Sequence, residues 1–115
     1  MPTSTITFDD FMRVDMRVGQ ITHVEPFPRA RKPTYKIKVD FGPEIGEKWS
    51  SVQAAREYTQ DEMLGRQVIG VVNFPPKNIA GFMSEVLVIG VPAEDGSLSL
   101  LEPSRRPAQL GGRVY

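Results

Sequence analysis

Two stretches of this 115-residue chain carry side chains whose types and spacing point to chemistry. Between Glu25 and Asp40 stand five cations, Arg29, Arg31, Lys32, Lys36 and Lys38, and no anion. Tyr35 and Ile37 interleave with the last two, so an extended backbone would throw both lysines to one side. That leaves two readings, a solvated loop or a stripe that faces phosphates. The second stretch, Val72-Asn73-Phe74-Pro75-Pro76-Lys77-Asn78-Ile79-Ala80-Gly81-Phe82-Met83-Ser84-Glu85, gathers a cation, two amides, a hydroxyl and two rings. Its consecutive prolines remove two N–H donors and stiffen the backbone, which predicts a preformed loop joining two strands. Rings that stack bases, amides and hydroxyls that read base edges, and cations that meet phosphates are the components of single-stranded nucleic-acid recognition. The competing role for Phe74 and Phe82 is to plug one end of a barrel. Glu85, the one carboxylate between Glu62 and Glu94, borders an apolar run, which predicts a structural ion pair with Arg17 as a candidate partner.

Nothing in the sequence adds the machinery of an enzyme. There is no Gly-rich phosphate loop, no G-x-S-x-G and no pair of His at ligand spacing. His23 is alone and lies within a predicted strand, where an imidazole ordinarily has a structural role. Asp61 and Glu62 are adjacent, so on a helix their carboxylates point apart and cannot share a substrate. The absence of Cys excludes a disulfide framework, a thiolate zinc site and a thiol nucleophile. The expectation is a non-catalytic protein with no metal and no cofactor.

Fourteen basic and fourteen acidic side chains give zero net charge, which argues against indiscriminate coating of polyanions. The distribution is uneven. Residues 13–38 hold seven basic and two acidic side chains, a net of +5, and the remainder must carry −5. With 40% hydrophobic and 24% charged residues the composition is globular. One domain over 1–115 is expected, burying about 65% of the surface its unfolded chain would expose. Met1-Pro2-Thr3-Ser4-Thr5 shows no basic, apolar leader. Val68 to Val72 and Val86 to Val91 fall far short of the ~20 apolar residues of a membrane span. A cytoplasmic protein without membrane insertion is expected.

Gly and Pro cut the chain into short pieces that read as strands. Thr7-Phe8-Asp9-Asp10 predicts a capped helix start, with Phe8, Phe11 and Met12 on one face that must dock on something. Strands are predicted over 16–25, with Gly19 as a bulge or bend, over 35–41 and over 48–52. A short helix over 54–58 follows, ended by Gly65. Gln67 to Val72 and Glu85 to Val91 are apolar runs that predict strands buried on both faces, and Ser97 to Leu101 a further strand. This pattern predicts an all-β Greek-key barrel of oligonucleotide-binding type, with five to six strands over a core of about 14–101. A short N-terminal helix and a C-terminal extension flank it.

Asp15-Met16-Arg17-Val18-Gly19-Gln20-Ile21 resembles the opening of the tRNA-binding domain family, found in free tRNA-binding proteins and in synthetase appendages. The likeness runs on through Val24 to Lys32, Lys38 to Gly42, Val72-Asn73-Phe74 and Ile79 to Leu87. More narrowly, Asp40 to Gly46, Ser50-Ser51, Val72 to Lys77 and Ser84 to Val88 resemble the export-related bacterial chaperones of that family. The resemblance implies a homodimer that binds tRNA and holds unfolded or export-destined polypeptides. The export machinery is a further implied partner, and a tRNA-binding module without a chaperone role is the alternative. By this likeness Lys32 and Ser84 fall where the family has a tRNA-contacting lysine and serine. The usual Gly-Met beyond that serine is Val86-Leu87 here, Pro33 is an extra residue relative to the broad family, and Trp49 and Val52 replace the usual Gln and Ala. The expected tRNA-binding residues are Arg31, Lys32, Lys36, Lys38, Asn73, Lys77 and Ser84. Phe74, Phe82 and Met83 are expected to hold polypeptide, and the sole Trp49 to serve packing or a dimer contact. Both terminal extensions carry apolar side chains that need cover, and an isologous dimer interface is expected there.

Overall fold

The computed structural model describes residues 3–115, so Met1 and Pro2, on which the reading of the N-terminal stretch partly rests, lie outside it. Helix α1 (Phe8–Met12) begins as its sequence dictates: Thr7 Oγ1 accepts from the Asp10 N–H and the Asp10 carboxylate accepts from the Thr7 N–H. Strands β1 (Met16–Pro26), β2 (Tyr35–Asp40) and β3 (Glu47–Val52) follow, then helix α2 (Gln60–Met63) and strand β4 (Gln67–Val71). After these come β5 (Lys77–Ile79), β6 (Phe82–Ser84), β7 (Leu87–Val88), β8 (Gly90–Pro92) and β9 (Leu98–Leu100). The main antiparallel sheet has the order β3-β2-β1-β4-β7 and curls into a nearly closed barrel; β5-β6 and β8-β9 are separate hairpins.

Period-two alternation in β2 sends Tyr35, Ile37 and Val39 into the core, with Lys36, Lys38 and Asp40 outward. Phe41 continues the inward set and is fully buried. Each such side chain removed from water stabilises the fold by about 1.5–3 kcal/mol. Gly19 is not the predicted bulge. The register shift falls between Ile21 and His23, where Thr22 steps out of the ladder and donates to the Lys38 carbonyl and to Glu47. Gly19 serves close packing instead. A Cβ there would lie 2.8 Å from Phe41 Cε1 and closer still to Val39 Cγ1, and one on Gly70 would lie 2.9 Å from Phe41 Cζ. The Phe41 ring therefore rests against two backbones without side chains.

Three other expectations are corrected. Residues 54–58 form a single turn, with the Tyr58 N–H donating to the Ala54 carbonyl, and the helix lies later. Thr59 and Glu62 make the second capping box, and this local signal fixes where α2 starts. The run from Glu85 to Val91 is not buried on both faces: Val86 and Val88 point inward while Leu87 and Val91 are exposed. The 72–85 segment is not a plain loop, because β5 and β6 pair through a two-residue turn at Ala80 (φ 49°) and Gly81 (φ 87°). Positive φ at both centres matches the right-handed twist of the flanking strands.

The C-terminal extension lies on the edge that β1 leaves open beyond β2. The Gly111 N–H donates to the Val18 carbonyl (2.8 Å), Val18 N–H to the Gly112 carbonyl (2.9 Å) and Val114 N–H to the Met16 carbonyl (2.9 Å). Its backbone is thus used within the chain, while Ile6 and Phe8, each more than 60% exposed, and the terminal Tyr115 remain uncovered.

Replacing Gly19 with Ala should drive the new methyl into Val39 and Phe41, both fully buried in the core. Urea denaturation should show a loss of about 1–3 kcal/mol, the usual cost of overpacking. Unchanged stability would mean that the Phe41 seat is looser than these contacts require.

Candidate nucleic-acid interface

Strand register sets the outer face of the β1-β2-β3 sheet. Glu25, Lys36 and Ser51 form one row across it, and His23, Lys38 and Trp49 the next. The β5-β6 hairpin lies along β3 and sets Phe82 against this face. The Phe82 ring meets Trp49 edge-on at 5.8 Å and Phe27 at 5.5 Å, and His23 meets Trp49 at 5.7 Å. Lys36 Nζ sits 4.8 Å from the Phe27 centroid and 5.1 Å from that of Phe82, and Lys38 Nζ 5.1 Å from that of Trp49. Each ammonium thus sits over ring faces, held by the attraction of a cation to the ring quadrupole. Phe82 is therefore not a barrel plug. Half-exposed Phe74 is not one either.

Beside this face a cavity of about 400 Å³ is lined by Arg31, Lys32, Lys77, Ser84, Ser51 and Gln53 among others, with no acidic residue in its wall. Ser51 belongs to both features, since it lines the cavity and pairs with Lys36. Ser84 Oγ accepts from the Ser51 N–H at 3.1 Å, and Ser50 Oγ donates to the Val86 carbonyl at 2.8 Å. Between them, the Glu85 N–H donates to the Trp49 carbonyl (2.8 Å) and Glu85 Oε1 accepts from the Trp49 N–H (2.9 Å). Glu85 thus closes the barrel against β3 and does not pair with Arg17. Arg17 turns instead to Asp15 (2.6 Å) and Glu44 (3.3 Å), and the Asp15 hydrogen bond raises the guanidinium pKa above its ordinary value.

The structure brings together Arg31, Lys32, Lys77 and Ser84, with Lys36 and Lys38 on the adjoining face. Asn73 stands elsewhere. Its Oδ1 accepts from the Asp15 N–H (3.0 Å) and its Nδ2 donates to the Arg13 carbonyl (2.7 Å), at the start of β1. Lys36 pairs with Glu25 near the far end of that strand. Phe74, Phe82 and Met83 also separate. Phe74 lines a second groove of about 630 Å³ with Pro75, Pro76 and Leu87, Phe82 joins the aromatic cluster, and Met83 is exposed on the other side of β6. Sequence reasoning left out Trp49, His23, Phe27 and Gln53. The signal for Trp49 was present: pairing β2 with β3 through the 42–46 turn sets it beside Lys38.

Among the described residues, no group of three His, Cys, Asp or Glu is placed to hold a metal, and no helix is long and apolar enough to cross a membrane. A five-stranded antiparallel barrel with a cation-bearing outer face defines a protein of the oligonucleotide-binding class. Residues 16–111 match the model of the "Putative tRNA binding domain" family, and the chain belongs to that family. It is similar to a methionine–tRNA ligase of Thermococcus onnurineus, at 34% identity over 110 residues, which are 95% of this chain and 14% of that protein. The chain thus spans about a seventh of the ligase's length. Two solved structures share the fold along their whole length. The CsaA chaperone protein of Picrophilus torridus superposes with a TM-score of 0.88 at 46% identity, covering 96% of this chain and 100% of that one. Chaperone CsaA of Bacillus anthracis does so with a TM-score of 0.88 at 42% identity, covering 97% and 100%.

Ser84→Ala removes the acceptor for the Ser51 N–H and leaves that donor without its partner. A stability loss of about 1 kcal/mol is expected, together with faster amide exchange at Ser51. Exchange at Ser51 as slow as in the parent protein would show that this bond does not hold the hairpin.

Proposed function

We propose that this protein binds tRNA on the cation-bearing side of the barrel and holds unfolded polypeptide on the neighbouring apolar surface, without catalysis. One observation carries the RNA reading. Among the described residues, no ion pair involves Arg29, Arg31, Lys32, Lys36, Lys38 or Lys77, nor Arg13, Lys48, Arg56 or Arg105, and of these Arg31, Lys32 and Lys77 share one cavity wall while Lys36 and Lys38 share one strand face. Cations left without counter-charges along one side suit a polyanion. Phosphates would meet Arg31, Lys32 and Lys77 in the cavity and Lys36 and Lys38 on the strand face. Ser84 would offer its remaining hydrogen-bonding capacity to a base or ribose. Asn73 contributes by fixing the start of the 72–85 segment, since both atoms of its amide are already engaged.

The polypeptide reading rests on exposed apolar side chains, Phe74 (52%), Met83 (49%) and Leu87 (49%), that no part of the chain covers. Similarity to two CsaA chaperones along their whole length supports it. Exposed Ile6, Phe8 and Tyr115 fit an isologous homodimer in which the α1 face gains its cover. Cytoplasmic residence and delivery of clients to the export machinery belong to the same reading. A tRNA-binding module without the holding role is the alternative.

If about four phosphates are neutralised, the affinity for tRNA should fall with a log–log salt slope of about −3 to −4, and Lys32→Ala, Lys36→Ala and Lys38→Ala should each flatten it by about 0.7–0.9. Binding that is indifferent to salt would remove the RNA reading. For the holding role, suppression of aggregation of an unrelated denatured protein should saturate at stoichiometric dimer, whose mass sedimentation reports. It should weaken in Phe74→Ala and Met83→Ala. Full suppression by both variants would show that the apolar site lies elsewhere.

A further inference from the structure

Resting on that reading, we propose that the polypeptides this protein holds are extended segments in which apolar side chains adjoin a carboxylate, and that RNA displaces them by taking the carboxylate's place. Two adjoining depressions carry the inference. The groove of about 630 Å³ beside Phe74, Pro75 and Pro76 and the cavity of about 400 Å³ beside Arg31 and Lys32 share Lys77, Ser84, Val86 and Leu87 as one wall. The first is an apolar surface. Its two prolines present no N–H to a base edge, while the half-exposed Phe74 and Leu87 offer cover to an apolar side chain.

Charge then fixes the direction in which a ligand lies. Among the described residues, the groove wall holds one carboxylate, Glu85, held there by the Trp49 N–H, and one cation, Lys77, while the cavity wall has three cations and no carboxylate. A ligand anion in the groove meets Lys77 offset by Glu85, whereas one in the cavity meets Arg31, Lys32 and Lys77 with no opposing carboxylate and forms charge-assisted hydrogen bonds. A basic side chain adjoining the apolar segment would meet the same three cations and be repelled. The cations that would receive the carboxylate are those that the RNA reading assigns to phosphate, so both ligands cannot occupy the shared wall at once.

The test uses three fluorescein-labelled peptides with one Leu-Phe-Leu core, followed by two aspartates, two lysines or two serines, on the full chain. The aspartate peptide should bind about tenfold more tightly than the lysine peptide, equivalent to roughly 1.4 kcal/mol. Arg31→Ala and Lys32→Ala, both at exposed positions, should erase most of that preference, read as the ratio of aspartate-peptide to serine-peptide affinity in each variant. Phe74→Ala should weaken all three. Added tRNA should release the aspartate peptide. Equal binding of the aspartate and lysine peptides, or an aspartate peptide that neither substitution nor tRNA dislodges, overturns the inference. Binding of tRNA alone and of the serine peptide alone reports on the underlying reading: if both bind and no acidic preference exists, only the inference falls. If neither binds, the reading falls and the inference with it.

Discussion

The seam between β3 and residues 84–86 is the constraint on which the rest of the architecture depends. β6 leaves the barrel wall to pair with β5, so the Trp49 and Ser51 N–H groups need acceptors that a regular ladder would have supplied. Buried donors left without partners are costly, and here a carboxylate and a hydroxyl meet the need. Glu85 accepts from one, Ser84 from the other, and Ser50 reaches across to the Val86 carbonyl. With the seam fixed, the hairpin can lie only along the outside of β3. Phe82 then lands on Trp49, Ser84 on the cavity wall, and Lys77 opposite Ser84 through the hairpin register. One closing contact thus positions both the aromatic cluster and the cation cavity.

The lysines on the strand face are held in a way that suits exchange. An ammonium over a ring at a partly exposed site gains about 0.5–1 kcal/mol, less than a charge-assisted bond to an incoming anion. Lys36 and Lys38 are thereby kept near the surface in the free protein without being committed to a carboxylate. Their packing on rings also limits the rotamer freedom that binding would otherwise have to remove.

Much of this was legible in the sequence wherever a strong local signal agreed with the tertiary context. The alternation from Tyr35 to Phe41 gave the core, the outward lysines and the strand limits, because period two admits one inward set. Thr7 and Asp10 marked α1 through a short-range capping box. The same signal at Thr59 and Glu62 marks α2, and a cap of this kind defines a helix start more sharply than the composition of Ala54 to Tyr58 does. Gly19 in a strand suggests a bulge or bend, whereas its reason is a long-range contact with Phe41 that no local window contains. Glu85 shows the same limit: a lone carboxylate beside an apolar run signals a structural role, but its partner, the Trp49 N–H 36 residues away, emerges only with barrel closure. Grouping Asn73 with the binding residues relied on residue type, and the amide's two backbone partners are just as invisible locally.

The +5 of residues 13–38 overstates the field that a ligand meets, and the structure shows how it divides. At the start of β1, Asp15 takes Arg17 at 2.6 Å and lies 3.5 Å from Arg113 Nε, while Arg113 also donates to the Met12 carbonyl. The Asp15 hydrogen bond raises the Arg17 pKa, so this cation stays charged and committed at any working pH. The knot joins the end of α1, the first residues of β1 and the C-terminal extension, and its charges largely cancel. From Arg29 to Lys38 no comparable carboxylate intervenes, and Lys77 adds to that set from the hairpin. Charges separated by more than a Debye length, about 8 Å at physiological ionic strength, hardly influence each other at an exposed surface. Glu25, opposite Lys36 and engaged with His23 at 3.5 Å, is the carboxylate on that face, and the cavity beside it has none in its wall, so the positive side is offset only in part. A neutral protein can present a cationic site because its cations are unevenly placed: Arg17 and Arg113 are tied to Asp15 beside the termini, while Arg31, Lys32 and Lys77 share a cavity wall that holds no carboxylate.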